Sequence, residues 1–340
     1  MFFWILLILT ALLSFALTQI LRRYALSRSM VDIPNSRSSH LIPTPRGGGI
    51  AFVVSFLGIL CLLTLTDVVP WNLCLALLGA GGGIAFLGFL DDRGHVAARL
   101  RLTAHFAAAV WVLYWLNGMP SPVFFGWTMA WGWAGTAFGL LYLVWTLNLY
   151  NFMDGIDGIA GMEALFISTG GALLYLFSGH PSHAILPLFL GASVLGFLFW
   201  NYPPAKIFMG DAGSGFLGII LGILALHAAW TDFHLFWGWL ILFGIFIVDA
   251  TLTLLRRLFY KKKIHRPHRS HAYQYAARHF GGHRPVLLAV AGINLFWLFP
   301  MAILAGTQVL EGIFAVGIAY APLILLAWHF KAGAEHLQTR

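Results

Sequence analysis

Charge is what this sequence has least of. Of 340 residues only 9% are Asp, Glu, Lys or Arg, against roughly 25% in soluble domains, while 60% are hydrophobic. That balance excludes a chain whose main solvent is water and points to lipid. Cysteine is nearly missing: Cys61 and Cys74 are the only two, both inside apolar runs, so no disulfide framework is available to an extramembrane domain. A low-complexity tail, a fixed-period repeat and a soluble domain are absent as well. The reading is a single all-α integral membrane domain over residues 1–340.

Eleven apolar stretches, each near the roughly 20 residues that a spanning helix needs, lie at about 2–21, 48–66, 71–90, 102–117, 130–147, 160–178, 184–200, 213–231, 235–255, 285–305 and 312–330. The first has no basic residue before it and Arg22 and Arg23 after it, the reverse of a signal peptide's layout. It is expected to stay as an anchor with its N-terminus outside. Alternating the loops from there places all 20 Lys and Arg residues on the inner side, whereas the outer loops hold Asp67, Asp232 and Glu311. Cytoplasmic loops collect Lys and Arg, so the C-terminus is expected inside. The net charge of +8 then describes one membrane face, where anionic headgroups and phosphorylated substrates are met, and nucleic acid is not needed to explain it. Trp71, Trp127, Trp131, Trp133, Trp230, Trp237 and Trp239 gather near outer span ends, where indole rings favour the headgroup zone.

The polar residues that hydropathy leaves unexplained sit at inner loops and inner span ends. Asp91 and Asp92 directly follow an apolar run. Acids at a helix C-terminus oppose the macrodipole and invite a cation or another compensating partner; the alternative is a solvated span end balanced by Arg93. Asn148, Asn151, Asp154 and Asp157 recur at intervals of three, with Gly155 and Gly158 between them and no basic residue nearby. Residues three apart share a helix face, and a ladder of oxygens suits a hard cation such as Mg²⁺, which takes one or two carboxylates plus substrate phosphates. Further on, Lys206 to Gly215 form a Gly-rich turn before a span. Glycines let backbone N–H groups approach phosphate oxygens, and the helix start favours anions. Asp211 would spoil a bare phosphate nest, and a metal between carboxylate and phosphate reconciles the two. Phe208, an aromatic at the water boundary, either stacks a base or anchors the loop.

The last large inner loop carries His265, Arg266, His268, Arg269 and His271. Its histidine spacing suits zinc, but no cysteine lies near and the neighbouring cations oppose a metal. A clamp for a diphosphate fits the composition better. Asp249 lies inside the ninth span, where an ionisable group usually faces the bundle interior, and its role is left open between structure and function.

In this order the blocks Pro34-Asn35 to His40, Pro45-Arg46-Gly47-Gly48, Asp91-Asp92, Asn148 to Gly158 and Phe208-Met-Gly-Asp-Ala-Gly-Ser214 resemble the polyprenyl-phosphate N-acetylhexosamine-1-phosphate transferase family, of glycosyltransferase family 4 type. The resemblance runs from about Asp32 to Gln274. It implies that Asn151 and Asp211 bind Mg²⁺, with Mn²⁺ as a substitute. By the same resemblance Asp154 and Asp157 organise the nucleotide site, Phe208 lies against uracil, and Asp91 or Asp92 stands by the lipid phosphate as the proposed base. Arg46, Asn148 and the His265, Arg266, His268, Arg269, His271 group are expected to bind substrate. A phosphate monoester has a second pKa of about 6, so the acceptor is already largely dianionic and the carboxylate orients more than it deprotonates.

The expected reaction moves an N-acetylamino-sugar 1-phosphate from a UDP-sugar to undecaprenyl phosphate and releases UMP. The spread of the histidines, with Asn35 to His40 upstream, resembles the branch that starts bacterial O-antigen rather than enzymes acting on a muramoyl pentapeptide. UDP-GlcNAc or a relative such as UDP-FucNAc or UDP-QuiNAc is the expected donor. The bacterial inner membrane is the expected location, membrane lipid a partner, and a homodimer is left open. A transporter of nucleotide sugars or lipid-linked sugars is the competing class; its polar groups would lie near the bilayer midplane, whereas these lie at one end. Intramembrane prenyltransferases require a third Asp after Asp91 and Asp92, and CDP-alcohol phosphotransferases an Ala-Arg soon after Asp157-Gly158; both are missing.

Overall fold

The computed structural model describes residues 2–28, 31–34, 42–94, 96–261 and 269–334. In chain order these form α1 (Phe2–Ser27), β1 (Val31–Asp32), β2 (Thr44–Pro45), α2 (Ile50–Leu65), α3 (Trp71–Arg93), α4 (Ala98–Trp115), β3 (Val123–Phe124), β4 (Trp127–Thr128), α5 (Gly132–Met153), α6 (Ile159–Phe177), α7 (Ile185–Asn201) and α8 (Asp211–Thr231). There follow α9 (Phe233–Leu242), α10 (Gly244–Phe259), α11 (Ala272–His279), α12 (His283–Ile293), a π-helical turn (Asn294–Leu298), α13 (Phe299–Gly306) and α14 (Gly312–His329). Helix is what these apolar runs must adopt, because a chain in hydrocarbon has to satisfy each N–H and C=O internally. Strand pairing among the described residues is confined to β1 with β2 and β3 with β4, both antiparallel.

All eleven expected stretches fall on helices. Seven helical segments are long and apolar enough to cross a bilayer, and α9 with α10 makes an eighth if that pair, bent by 69°, is one span. The remaining stretches are α2, of 16 residues, and α4 and α5. The latter two carry Arg99, Arg101 and His105, and Asn148 and Asn151. The ninth stretch, expected as one continuous span, is broken at Phe243, and the Tyr320 hydroxyl donates to the Leu240 carbonyl that the bend leaves without a helical partner.

At the centre stands α8, buried along nearly its whole length and packed between α3 and α5. Small residues make this possible. A Cβ on Gly88 of α3 would collide with the backbone of Asp211 and Ala212, and one on Gly218 of α8 would come within 2.6 Å of Leu147 Cα on α5. Such close approach of backbones is how helices associate where no hydrophobic effect drives them together. Around this centre α7 packs on α1 and α6, and the buried apolar side chains form one contiguous cluster.

Alternate helix ends gather into two groups. At one end Arg22 Nε donates to the Lys206 carbonyl, Arg256 Nη1 to the Ala332 carbonyl and Tyr273 Oη to the Phe152 carbonyl, so every described inner-loop segment of the sequence reading meets there. At the other, Trp230 Nε1 donates to Gly118 and Phe125 N–H to Glu311, with Trp127 and Trp133 more than 80% exposed.

Candidate active site

Residues 45–49 run beside residues 208–209 at the basic end. The Phe208 N–H donates to the Pro45 carbonyl (2.8 Å), while the Gly48 and Gly49 N–H groups donate to the carbonyls of Phe208 and Met209 (2.9 Å each). Gly49 and Gly213 lie so close that a Cβ on either would strike the other's Cα. Gly210 has φ of +80° and no room for a Cβ beside the Asp92 carboxylate. The glycines of this turn therefore serve chain-on-chain packing, which fixes half-buried Phe208 and the first turn of α8.

That packing brings Arg46 between two carboxylates. Its Nε lies 3.0 Å from Asp92 Oδ1 and its Nη2 lies 2.9 Å from Asp211 Oδ1. Asp92 also accepts the N–H groups of Asp211 (3.0 Å) and Ala212 (3.3 Å), capping α8 from a different helix and adding to its dipole interaction. Asp91 is held separately: Oδ1 accepts the Val96 N–H (2.8 Å) and Oδ2 the Arg101 guanidinium (2.6 Å). Arg101 also reaches within 3.9 Å of Asp211 Oδ2. The Asp91 and Asp92 side chains are 7–8% exposed, against 24% for Asp211, so Asp211 is the carboxylate that remains open. Helix α3 continues to Arg93, which places the acid pair inside its last turn rather than after it.

The four-residue oxygen ladder divides where the glycines unwind the chain. Asn148 and Asn151 lie on the last two turns of α5, Asp154 is its C-cap, and Gly158, at φ of +76°, precedes α6. Asn151 Nδ2 donates to Ser214 Oγ on α8 (3.2 Å), next to Asp211. Asn148 turns elsewhere, its Nδ2 donating to the Val144 carbonyl (2.7 Å) and meeting His105 Nδ1 at 3.3 Å. Asp157 accepts the Ala205 N–H (3.0 Å), and His283 Nδ1 lies 3.3 Å from both its carboxylate and its backbone nitrogen; it ties α6 to the 203–206 turn.

Electrostatics single out Asp154. Burial, opposed by the Arg46 charge and reinforced by Asp211, Asp92 and Asp157, pushes its pKa up to about 7. Burial works against the Arg46 charge too, but Asp211, Asp92, Asp32 and Asp154 outweigh it and its pKa lies above the ordinary value. The donor set of Asp211, Asn151 and Asp154 is all oxygen, which fits a hard cation. Among the described residues no three His, Cys, Asp or Glu side chains converge well enough to hold a metal by themselves. Mg²⁺ draws most of its ligands from water and substrate phosphates, so these residues fit it in company with a phosphorylated substrate.

Of the basic loop, His265, Arg266 and His268 lie outside the described residues. Arg269 passes its carbonyl to Arg278 Nη2 (3.2 Å). His271 is buried, with Nδ1 3.2 Å from Asp249 Oδ1. Asp249, whose role the sequence left open, also accepts the Ala272 (2.9 Å) and Tyr273 (3.0 Å) N–H groups and caps α11. Reading the sequence for site residues missed Arg101 and Ser214, and Glu163, whose buried carboxylate accepts Asn294 Nδ2 at 2.6 Å. An acid inside an expected span was the available signal for Glu163; a cation one residue before a span was the signal for Arg101.

Residues 74–229 match the model of glycosyl transferase family 4, a range that contains Asp91, Asp92, Asn151, Asp154 and Asp211. The chain is 30% identical over 307 residues to a probable undecaprenyl-phosphate N-acetylglucosaminyl 1-phosphate transferase of Bacillus subtilis, covering 89% of this chain and 85% of the relative. The chain belongs to glycosyl transferase family 4. A second relative, the undecaprenyl-phosphate alpha-N-acetylglucosaminyl 1-phosphate transferase of Thermotoga maritima, is 28% identical, with 86% of this chain and 88% of the relative covered. A third, the phospho-N-acetylmuramoyl-pentapeptide-transferase of Thermosynechococcus vestitus, is 33% identical, with 74% and 69% covered. This family 4 member is thus a multi-pass membrane transferase.

Proposed function

We propose that this protein transfers an N-acetylamino-sugar 1-phosphate from a UDP-sugar to undecaprenyl phosphate at the cytoplasmic face of a bacterial inner membrane, releasing UMP. The observation that carries the reading is the Arg46 bridge between Asp92 and Asp211, which joins a guanidinium from the 45–49 segment to carboxylates from two helix ends, with Asn151 bonded to Ser214 on the same turn of α8. An acceptor phosphate oxygen attacks the sugar-bearing phosphorus, the new P–O bond forms as the P–O bond to UMP breaks, and the electron pair leaves on UMP. Phosphoryl transfer of this kind needs positioning and charge neutralisation more than covalent help.

Asp211, Asn151 and Asp154 would hold Mg²⁺, which when bound neutralises diphosphate charge; Mn²⁺ is expected to substitute. Arg46 and Arg101 stand where each can exchange a carboxylate partner for a phosphate oxygen. Asp91 and Asp92 orient their surroundings through Arg101 and the α8 start rather than serving as open bases. UDP-GlcNAc is the favoured donor, because the two N-acetylglucosaminyl transferases are covered over 85–88% of their length and the muramoyl-pentapeptide enzyme over 69%. Initiation of O-antigen or another surface polysaccharide is the role proposed with it.

The test is transfer of radiolabelled sugar phosphate from a panel of UDP-N-acetylamino sugars to undecaprenyl phosphate by the purified full chain, with and without Mg²⁺. The expected result is Mg²⁺-dependent lipid labelling with UMP release, lost in Asp211→Ala. Absence of labelling from every donor by folded protein, together with uptake of a nucleotide sugar into proteoliposomes, would replace this reading by the transporter.

A further inference from the structure

Cys61 and Cys74 are the whole cysteine complement of the chain, and the fold brings them together: their thiols lie within hydrogen-bonding reach of each other. The backbone shows how. Helices α2 and α3 pack as a hairpin joined by residues 66–70, and the turn is tight, with the Val68 and Val69 N–H groups both donating to the Leu63 carbonyl (2.9 and 3.2 Å). Cys61 stands four residues before the end of α2 and Cys74 three after the start of α3. At 1.5 Å per residue both lie roughly 5–6 Å inside the hairpin, at one depth. Cys74 is buried and Cys61 half-exposed. The other ends of these helices meet at the basic end, where α2 follows the 45–49 segment and α3 closes on Asp91, Asp92 and Arg93, so the cysteines belong to the opposite end, one turn from Trp71, 56% exposed. A small apolar side chain filling a gap between helices needs no particular partner, and the closest helix contacts elsewhere in the bundle are made by glycine. The meeting of the only two thiols in the chain is what a disulfide needs.

We propose that Cys61 and Cys74 are joined by a disulfide that staples α2 to α3 at the outer end of the bundle. The oxidant is a protein disulfide of the extracytoplasmic compartment. Cys61, the more exposed thiol, attacks it as the thiolate and forms a mixed disulfide; Cys74 then attacks the Cys61 sulfur, the intramolecular S–S bond forms, and the oxidant leaves as a dithiol carrying the two electrons and two protons that the cysteines lose. Closing the bond asks for rotation about the two Cα–Cβ bonds and a small approach of helix ends that lie beside a five-residue turn. The bridge has a counterpart at the other end of the same hairpin. Arg46, on the segment leading into α2, and Asp92, in the last turn of α3, are joined at 3.0 Å, so the disulfide fastens at the outer end the two helices that this ion pair joins at the inner one. The inference rests on the proposed orientation, in which one-sided Lys and Arg put the basic end in the cytoplasm and leave the cysteines toward a compartment that keeps thiols oxidised. It does not rest on the proposed transfer reaction.

Thiol counting on the full chain tests it. Bacterial membranes containing the protein are dissolved in sodium dodecyl sulfate with excess N-ethylmaleimide, which caps every free thiol, and the intact mass is read with and without prior reduction by a phosphine. The expected result is a monomeric chain that carries no maleimide and is lighter by two hydrogens before reduction, and that carries two maleimides after it. Cys61→Ser should take one maleimide in either case, which shows that the bridge lies within one chain; the parent's count stands by itself should that variant fold poorly. Two maleimides on the unreduced parent, or a disulfide-linked pair of chains in place of the closed monomer, would overturn the assignment. Treating the membranes with diamide, a small azo oxidant that accepts two electrons and two protons from a pair of thiols, then says which premise failed: closure by diamide faults the orientation, and two free thiols after diamide fault the contact between Cys61 and Cys74.

Discussion

Two helices in this protein begin under a carboxylate borrowed from another helix, and the two starts differ in what surrounds them. Asp92 caps α8 through the N–H groups of Asp211 and Ala212; Asp249 caps α11 through those of Ala272 and Tyr273. Around Asp249 the remaining partners are Thr253 and His271, both buried, and the cap is closed. Around Asp92 the partner is Arg46, 42% exposed, and the first residue of the capped helix is itself an acid, Asp211, 24% exposed. One device thus appears in two forms. Where the capped helix starts on neutral residues it is a brace, and where it starts on an open carboxylate beside arginines it is a place for phosphates and a cation.

The comparison is broken most directly at Asp211. Asp211→Ala is expected to lower kcat of sugar-phosphate transfer by a factor on the order of a thousand or more, the size lost with a charge-stabilising group in a transition state, with a thermal midpoint in detergent close to that of the parent. Asp249→Ala should do the reverse. It strands two buried N–H groups and a histidine, so stability falls by about 2–3 kcal/mol as read by denaturation in detergent, while turnover per folded molecule changes far less. Equal activity losses in the two variants would remove the distinction.

Asp92→Asn is expected to fall between them. An amide oxygen still accepts from one α8 N–H but gives up the ion pair with Arg46, so a partial stability loss of about 1 kcal/mol should accompany a drop in turnover smaller than that of Asp211→Ala. The same assays read both.

The smallest expected effect is one of pH. With its pKa at about 7, the Asp154 carboxyl is mostly protonated at pH 6 and mostly ionised at pH 8. The folded value is raised, so the metal-free protein loses stability as pH climbs from the ordinary carboxylate value of about 4 toward 7, because the unfolded chain ionises first. Cation binding favours the ionised form. Affinity for Mg²⁺ in the presence of a UDP-sugar should therefore rise about tenfold from pH 6 to pH 8 and flatten in Asp154→Asn, which titration calorimetry at several pH values would show.

Much of this was legible in the residues. Apolar runs and one-sided Arg and Lys located the helices and grouped their ends, since hydrocarbon imposes both. The carboxylates of the site were found because ionisable groups at span ends need a reason. What the sequence withheld was partnership. Interval-three spacing put Asn148, Asn151, Asp154 and Asp157 on one ladder, but helix α5 stops at Met153, Asn148 turns to His105 and Asp157 to His283. The glycines at 210 and 213 suggested phosphate approach and are filled by Asp92 and Gly49. Arg101 stood one residue before an expected span, but its partner, Asp91, became visible only in the fold. Apart from Arg101 with Asp91, 10 positions apart, such pairings link residues 43 to 165 positions apart, and no local pattern encodes them.

The measurement that bears most directly on the whole account is the ratio of turnover per folded molecule between Asp249→Ala and Asp211→Ala, in the UDP-GlcNAc to undecaprenyl phosphate assay across a Mg²⁺ titration. The account predicts a ratio of about a hundred or more, with Asp211→Ala unresponsive to added Mg²⁺. A ratio near one, or full recovery of Asp211→Ala at high Mg²⁺, would contradict the placement of the reaction at the open carboxylate.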